Sequence, residues 1–155
     1  MQICLATIVS TNTFVKANMK RASPTGKTEL EVLFTALSDG TRLRLLNLMA
    51  DSEVCVCFFI EVLDQPQPTI SRHLAFLRKA GLVADRRDGK WIHYRLTPPH
   101  DSVASLAFEG ALEALRADPT MQRDLKKLES ACCSSRVPEV LRRAPKPALL
   151  KFRGR

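Results

Sequence analysis

Two prolines, one glycine and an Asp-Gly pair punctuate the run QPQPTISRHLAFLRKAGLVADRRDGKWIHYRL, residues 65–96, and leave it little choice of structure. Each proline lacks an amide donor and disfavours helix in the residue before it, so a helix is expected to begin at Gln67 or Pro68. From there to Ala80, at about 100° per residue, Ile70, Leu74 and Leu77 form a narrow apolar stripe; Arg72 and Lys79 point nearly opposite, and Thr69, Ser71 and Phe76 lie on the flanks. One face packs and the other stays open. Gly81 suits the left-handed position that closes a helix. Beyond it, LVADRRDGKWIHYRL reads as two short strands joined by an Asp88-Gly89 hairpin turn, with Arg86, Arg87 and Lys90 around the turn.

The upstream segments supply the support. In ELEVLFTALSD, Leu30, Leu33, Phe34 and Leu37 recur at helical spacing, and Asp39 is placed to cap a second helix through Ala50 that buries Leu43, Leu46 and either Leu45 or Met49. A third helix is expected from about Cys55 to Leu63, ending before the prolines. Helix, tight turn, helix and basic hairpin make a winged helix-turn-helix: mainly α with a small β-hairpin. Downstream, Val103, Leu106, Ala107, Leu112 and Leu115 continue a helical pattern to a break near Asp118-Pro119, and a further amphipathic piece covers Met121 to Leu128. Terminal helices on so small a domain point to a homodimer formed through them. The expected division is a weakly ordered extension at 1–28, with Met19 an alternative start, the winged domain at 29–123, and a cysteine-containing, basic, disordered tail at 124–155.

The net charge of +8 is concentrated. Residues 72–95 carry 7 basic and 2 acidic groups and residues 136–155 carry 7 and 1, while the rest is slightly acidic. Localised positive charge suggests a polyanionic partner. No apolar run approaches the roughly 20 residues a membrane span needs. The first residues lack the pattern of a secretory signal, so the cytoplasm is the expected compartment, where the five cysteines stay reduced.

A recognition helix needs small or polar side chains in its first turns and cations for phosphates. Gln67, Thr69, Ser71 and Arg72 meet the first need, and Arg86, Arg87 and Lys90 suit backbone or minor-groove contact from the wing. His73 joins the candidates but sits toward the packed edge, where a bond to the scaffold is the competing role. Trp91 and Tyr94 read as hairpin packing rather than base-stacking platforms.

The long run from Leu63 to Leu96, with ALSDGTRLRLLNLM before it, resembles the recognition helix, wing and second helix of the ArsR/SmtB family of metal-responsive repressors, over about residues 29–115. The resemblance implies a homodimer on double-stranded operator DNA that lets go when a metal or metalloid binds. EVCVCFF, with Cys55 and Cys57, is similar to the ELCVC phrase that carries the inducer site in the arsenic- and cadmium-sensing branches, so As(III) or Sb(III) is the implied inducer and no catalytic cofactor is called for. Thiolates are the preferred ligands of such soft ions. On a regular helix, cysteines at i and i+2 point about 200° apart; gripping one ion would then require the first turn of the third helix to distort, a route to lowered DNA affinity.

Where the arsenic sensors commonly place a third cysteine, Ile60 stands. Cys132 and Cys133 are candidate further ligands, by folding back or from the partner subunit; Cys4 is more remote. Assembly of four thiolates would favour a cadmium- or lead-responsive repressor, and a third reading is a winged-helix regulator with no metal input. His100 and Asp101 stand near the family's other, interhelical zinc site, but no spaced second His pair follows. An enzyme is not expected: the CxC lacks the CxxC spacing and βαβ setting of redox motifs, and no phosphate loop or nucleophile-base set is present.

Overall fold

The computed structural model describes residues 26–133, 141 and 143–147. Among them the chain forms α1 (Glu29–Leu37), α2 (Gly40–Leu48), β1 (Val54–Cys55), α3 (Val56–Leu63), α4 (Gln67–Lys79), β2 (Val83–Asp88), β3 (Trp91–Leu96), α5 (Ser102–Ala117) and α6 (Pro119–Cys133). The architecture is the winged helix-turn-helix read from the sequence. No helix among the described residues is long and apolar enough to cross a membrane.

Local chemistry sets most of the boundaries. Thr28 and Glu31 form a reciprocal capping box at α1, Asp39 accepts the Arg42 amide at 2.9 Å to open α2, and Asp101 accepts the Val103 and Ala104 amides at 3.0 and 2.9 Å to open α5. Asp101 thus serves as a cap. The break at Asp118-Pro119 is a new start, since Asp118 accepts the Thr120 and Met121 amides. Gly81, at φ +75°, ends α4: its amide reaches Arg78 O, and the Leu82 amide reaches back to Leu77 O. In the hairpin, Asp88 pairs with Trp91 and belongs to β2, so the two-residue loop is Gly89-Lys90 rather than the expected Asp88-Gly89. Gly89 has φ +56° at the first loop position, the hairpin geometry that admits glycine there.

Three differences from the sequence reading matter. The sheet has three strands in the order β1-β3-β2, because two residues ahead of α3 pair with the wing. The third helix starts at Val56, leaving Cys55 as an extended residue before it. The domain boundary expected at 123/124 falls inside α6, which runs to Cys133. Its inner face buries Met121, Asp124 and Leu128, which is why those residues are not tail. The expected extension up to residue 25 and most of the basic C-terminal segment lie outside the described residues.

The core is one cluster built on Leu33, Leu45, Leu46, Leu48, Phe58, Phe59, Ile70, Leu74, Leu77 and Phe108. Leu45, Leu48 and Met49 are buried with Leu46, whereas Leu43 is only partly so. α6 lies against α2 and α3. There Arg44 donates Nε and Nη2 to the Asp124 carboxylate at 2.6 and 2.8 Å, and Asn47 Nδ2 donates to Met121 O at 3.1 Å. Phe34, Val103 and Leu106, from the mutually packed α1 and α5, remain exposed.

Candidate DNA interface and thiol pair

α4 presents the face its sequence promised. Ile70, Leu74 and Leu77 are fully buried, while Gln67, Ser71 and Arg72 are exposed and Thr69 is partly so. Pro66 precedes the helix and offers no side-chain cap. Pro68 has no amide hydrogen and the Thr69 and Ile70 amides donate to Pro66 O at 2.9 and 3.2 Å, so this end offers its side chains rather than free amides.

His73 departs from this group. Its Nδ1 lies 3.4 Å from Asp39 Oδ1 and its side chain is mostly buried, so it ties the recognition helix to the start of α2. Burial pushes the Asp39 carboxyl up, but the Arg42 amide and the neighbouring His73 and Arg42 pull it further down, to a net position below the ordinary carboxylate range. Arg42, a residue that sequence reasoning missed, donates to Ala36 O and Thr35 O and stacks its guanidinium 4.4 Å from the centre of the exposed Phe76 ring. The helix-turn-helix is therefore braced by a polar cluster as well as by its apolar stripe.

The wing cations differ from one another. Arg87 is exposed with no ion pair among the described residues, as is Arg72. Lys90 Nζ sits 5.0 Å from the Trp91 ring centre. Arg86, expected to face a phosphate, is exposed but paired with the protein's own carboxylates: Glu53 Oε1 accepts from its Nη2 at 2.6 Å and its Nε at 3.0 Å, and Asp88 lies 3.4 Å from its Nη1. Glu53 was not a sequence candidate, because nothing local marks a glutamate that works across a sheet.

Cys55 and Cys57 lie together. Cys57 Sγ is 2.9 Å from Cys55 Sγ. This corrects the expectation of divergent thiols: the 200° separation holds only when both residues are helical, and Cys55 has extended backbone, φ −71° and ψ 141°. No distortion of α3 is needed to bring the two sulfurs to one point. The Cys57 S–H donates to Cys55 sulfur, and this, with help from the backbone amides of Cys57, Ile92 and Val56 and against burial, lowers the Cys55 thiol from 9.0 to about 7. Cys57 moves the other way, because its proton serves as the donor and a second negative charge beside the first is disfavoured. Such a pair fits two of the donors a soft ion would take. No cluster of three or more His, Cys, Asp or Glu suited to a metal occurs among the described residues. Cys132 packs partly buried against the core from α6, the helix that lies on α3; the Cys133 side chain is outside the described set.

These features together define a winged helix-turn-helix module with a dithiol at the root of its wing. The sequence profile described as the bacterial regulatory protein arsR family matches residues 39–85. The chain is 55% identical over 67 residues to the arsenical resistance operon repressor of Escherichia coli, covering 43% of this chain and 57% of that protein. It thus spans little more than half of that relative. It is 41% identical over 91 residues to the transcriptional regulator KmtR of Mycobacterium tuberculosis, covering 59% of this chain and 68% of that protein. The structure of reduced HlyU from Vibrio cholerae superposes with a TM-score of 0.50 at 29% identity, over 58% of this chain and 90% of that one. The chain belongs to the arsR family of bacterial regulatory proteins.

Proposed function

We propose that this protein is a transcriptional repressor that binds double-stranded operator DNA as a homodimer and releases it when As(III) or Sb(III) binds Cys55 and Cys57. The 2.9 Å approach of the two sulfurs carries this reading. Family membership and the identity to an arsenical resistance operon repressor support it. Gln67, Thr69, Ser71 and Arg72 read the groove. Arg87 and Lys90 meet the backbone, joined by Arg86 in so far as Glu53 allows. His73 positions the recognition helix.

In this reading a third sulfur comes from Cys132 or Cys133 on α6, the helix that packs against α3, drawn to the pair when the ion binds or supplied by the partner subunit. The same packing favours a second reading, a cadmium- or lead-responsive repressor, if both of those thiols join. The test is fluorescence anisotropy of labelled DNA from upstream of the gene, with arsenite, antimonite, cadmium and zinc titrated against the parent protein and a Cys55→Ser/Cys57→Ser variant. Release by arsenite in the parent and not in the variant is expected. Selective release by cadmium decides for the second reading, and DNA binding unmoved by any ion overturns both.

A further inference from the structure

β1, the strand that ends in Cys55, is also the third strand of the wing's sheet. Cys55 pairs directly with His93 on β3, and His93 pairs directly with Arg86 on β2. Directly opposed residues of antiparallel strands share a face. Cys55, His93 and Arg86 therefore form a single row across the sheet, from the thiol pair to the wing. Glu53 lies two residues before Cys55, immediately ahead of β1. Its Oε1 closes the row from above, 2.6 Å from Arg86 Nη2 and 3.6 Å from His93 Nδ1.

We propose that Glu53 is a positioning residue that couples occupancy of the Cys55–Cys57 pair to the wing, by holding Arg86 and His93 in register with β1. The inference rests on the functional reading above and names its route of regulation. An ion drawn between the two sulfurs acts on a residue whose backbone belongs to the wing's sheet, so a shift of β1 reaches Arg86 in two hydrogen-bonded steps. His93 is nearly fully buried, and its Nε2 has no hydrogen-bond partner among the described residues. Glu53 is the one carboxylate within ion-pair distance of the ring among the described residues, so the ring follows it. An exposed ion pair would normally matter little. This one differs in that its carboxylate is mostly covered and shared with a buried ring.

The experiment compares the parent with Glu53→Ala, Arg86→Ala and the double variant. Arsenite binding is measured by calorimetry, the wing by the fluorescence of Trp91, the only tryptophan, and release by operator anisotropy with and without arsenite. Glu53→Ala is expected to bind arsenite within about threefold of the parent, to lose the Trp91 response, and to release DNA with a coupling factor reduced about tenfold or more. Arg86→Ala is expected to reduce the same factor, and the double variant no further than either single, because the two residues act as one unit. Should Glu53→Ala fail to fold, Glu53→Gln keeps the shape without the charge and is judged by the same outcomes. A Glu53 variant that binds arsenite and keeps the parent's Trp91 response and coupling factor overturns the proposal alone. A parent that holds its DNA at saturating arsenite overturns the functional reading and this coupling with it.

Discussion

At Cys55 the pair of thiols behaves as one titrating unit that gives up a first proton easily and a second with difficulty. The first leaves with an apparent midpoint of about 7 against an ordinary 9.0, because the remaining S–H and three backbone amides stabilise the anion. The sign for stability follows: a thiol whose folded value is depressed contributes stability that is complete above its unfolded value and disappears as pH falls through about 7. Ultraviolet absorbance of the thiolate, taken as the difference between parent and Cys55→Ser, is expected to rise with a midpoint near 7. In Cys57→Ala, which deletes the donor, the midpoint moves back toward 9.0. A parent midpoint in the ordinary thiol range removes the shared proton from the account. The thiolate is also the attacking form in the proposed capture of arsenite, so capture is expected to slow below that midpoint. The equilibrium does not weaken, since each As–S bond replaces an As–OH bond whose hydroxyl leaves as water with the thiol's proton.

Among the elements, the segments that could be read from sequence are those whose ends are closed locally. Asp39 caps α2, Gly81 closes α4, and the Ile70, Leu74, Leu77 stripe is buried as its spacing required. Where a partner from elsewhere in the chain decides the outcome, the local pattern misleads. EVCVCFF is apolar enough to continue a helix backward, yet pairing with Tyr94 and His93 draws Val54 and Cys55 into a strand and thereby brings the thiols together. The candidate residues were therefore legible while their geometry was not. Asp124 is a second case: a carboxylate reads as surface until Arg44, 80 positions away, is known to face it. With Asp124 buried and Arg44 about a quarter exposed, removing the acid alone strands a partly solvated cation, and Asp124→Ala is expected to cost about 3 kcal/mol. Replacing both partners by apolar residues, as in Arg44→Met/Asp124→Leu, is expected to cost less than about 1 kcal/mol, since no charge is left unpaired. Urea unfolding of the three proteins measures both. A single variant within about 0.5 kcal/mol of the parent would show that apolar packing alone fastens α6.

For the whole molecule, the decisive surface is the one its own core leaves uncovered. Phe34 on α1 is 58% exposed, and Val103 and Leu106 on α5 are 42% and 71% exposed, although helical spacing alone would have counted all three as core. The two helices pack against each other, and these side chains on them have little cover from the described chain. Exposed apolar side chains on adjoining elements mark an interaction surface. In the proposed homodimer a second copy would meet these side chains about a two-fold axis with self-complementary contacts. That arrangement would also serve DNA binding: two recognition helices about one duplex turn apart would read a pseudo-palindrome, and linking them would raise affinity by making the second contact intramolecular. Leu106→Glu places a charge in that face without touching the buried cluster. The parent is expected to sediment as a dimer, and the variant to keep the parent's helical circular dichroism, to sediment as a monomer and to lose about 100-fold or more in operator affinity. Its arsenite stoichiometry then assigns the remaining sulfur donor. One ion per monomer at parent affinity means that Cys132 or Cys133 reaches the pair within its own chain, and affinity lost together with the dimer means that the donor comes from the partner. A Leu106→Glu protein that sediments as a dimer on intact DNA-binding affinity would move the interface away from α1 and α5.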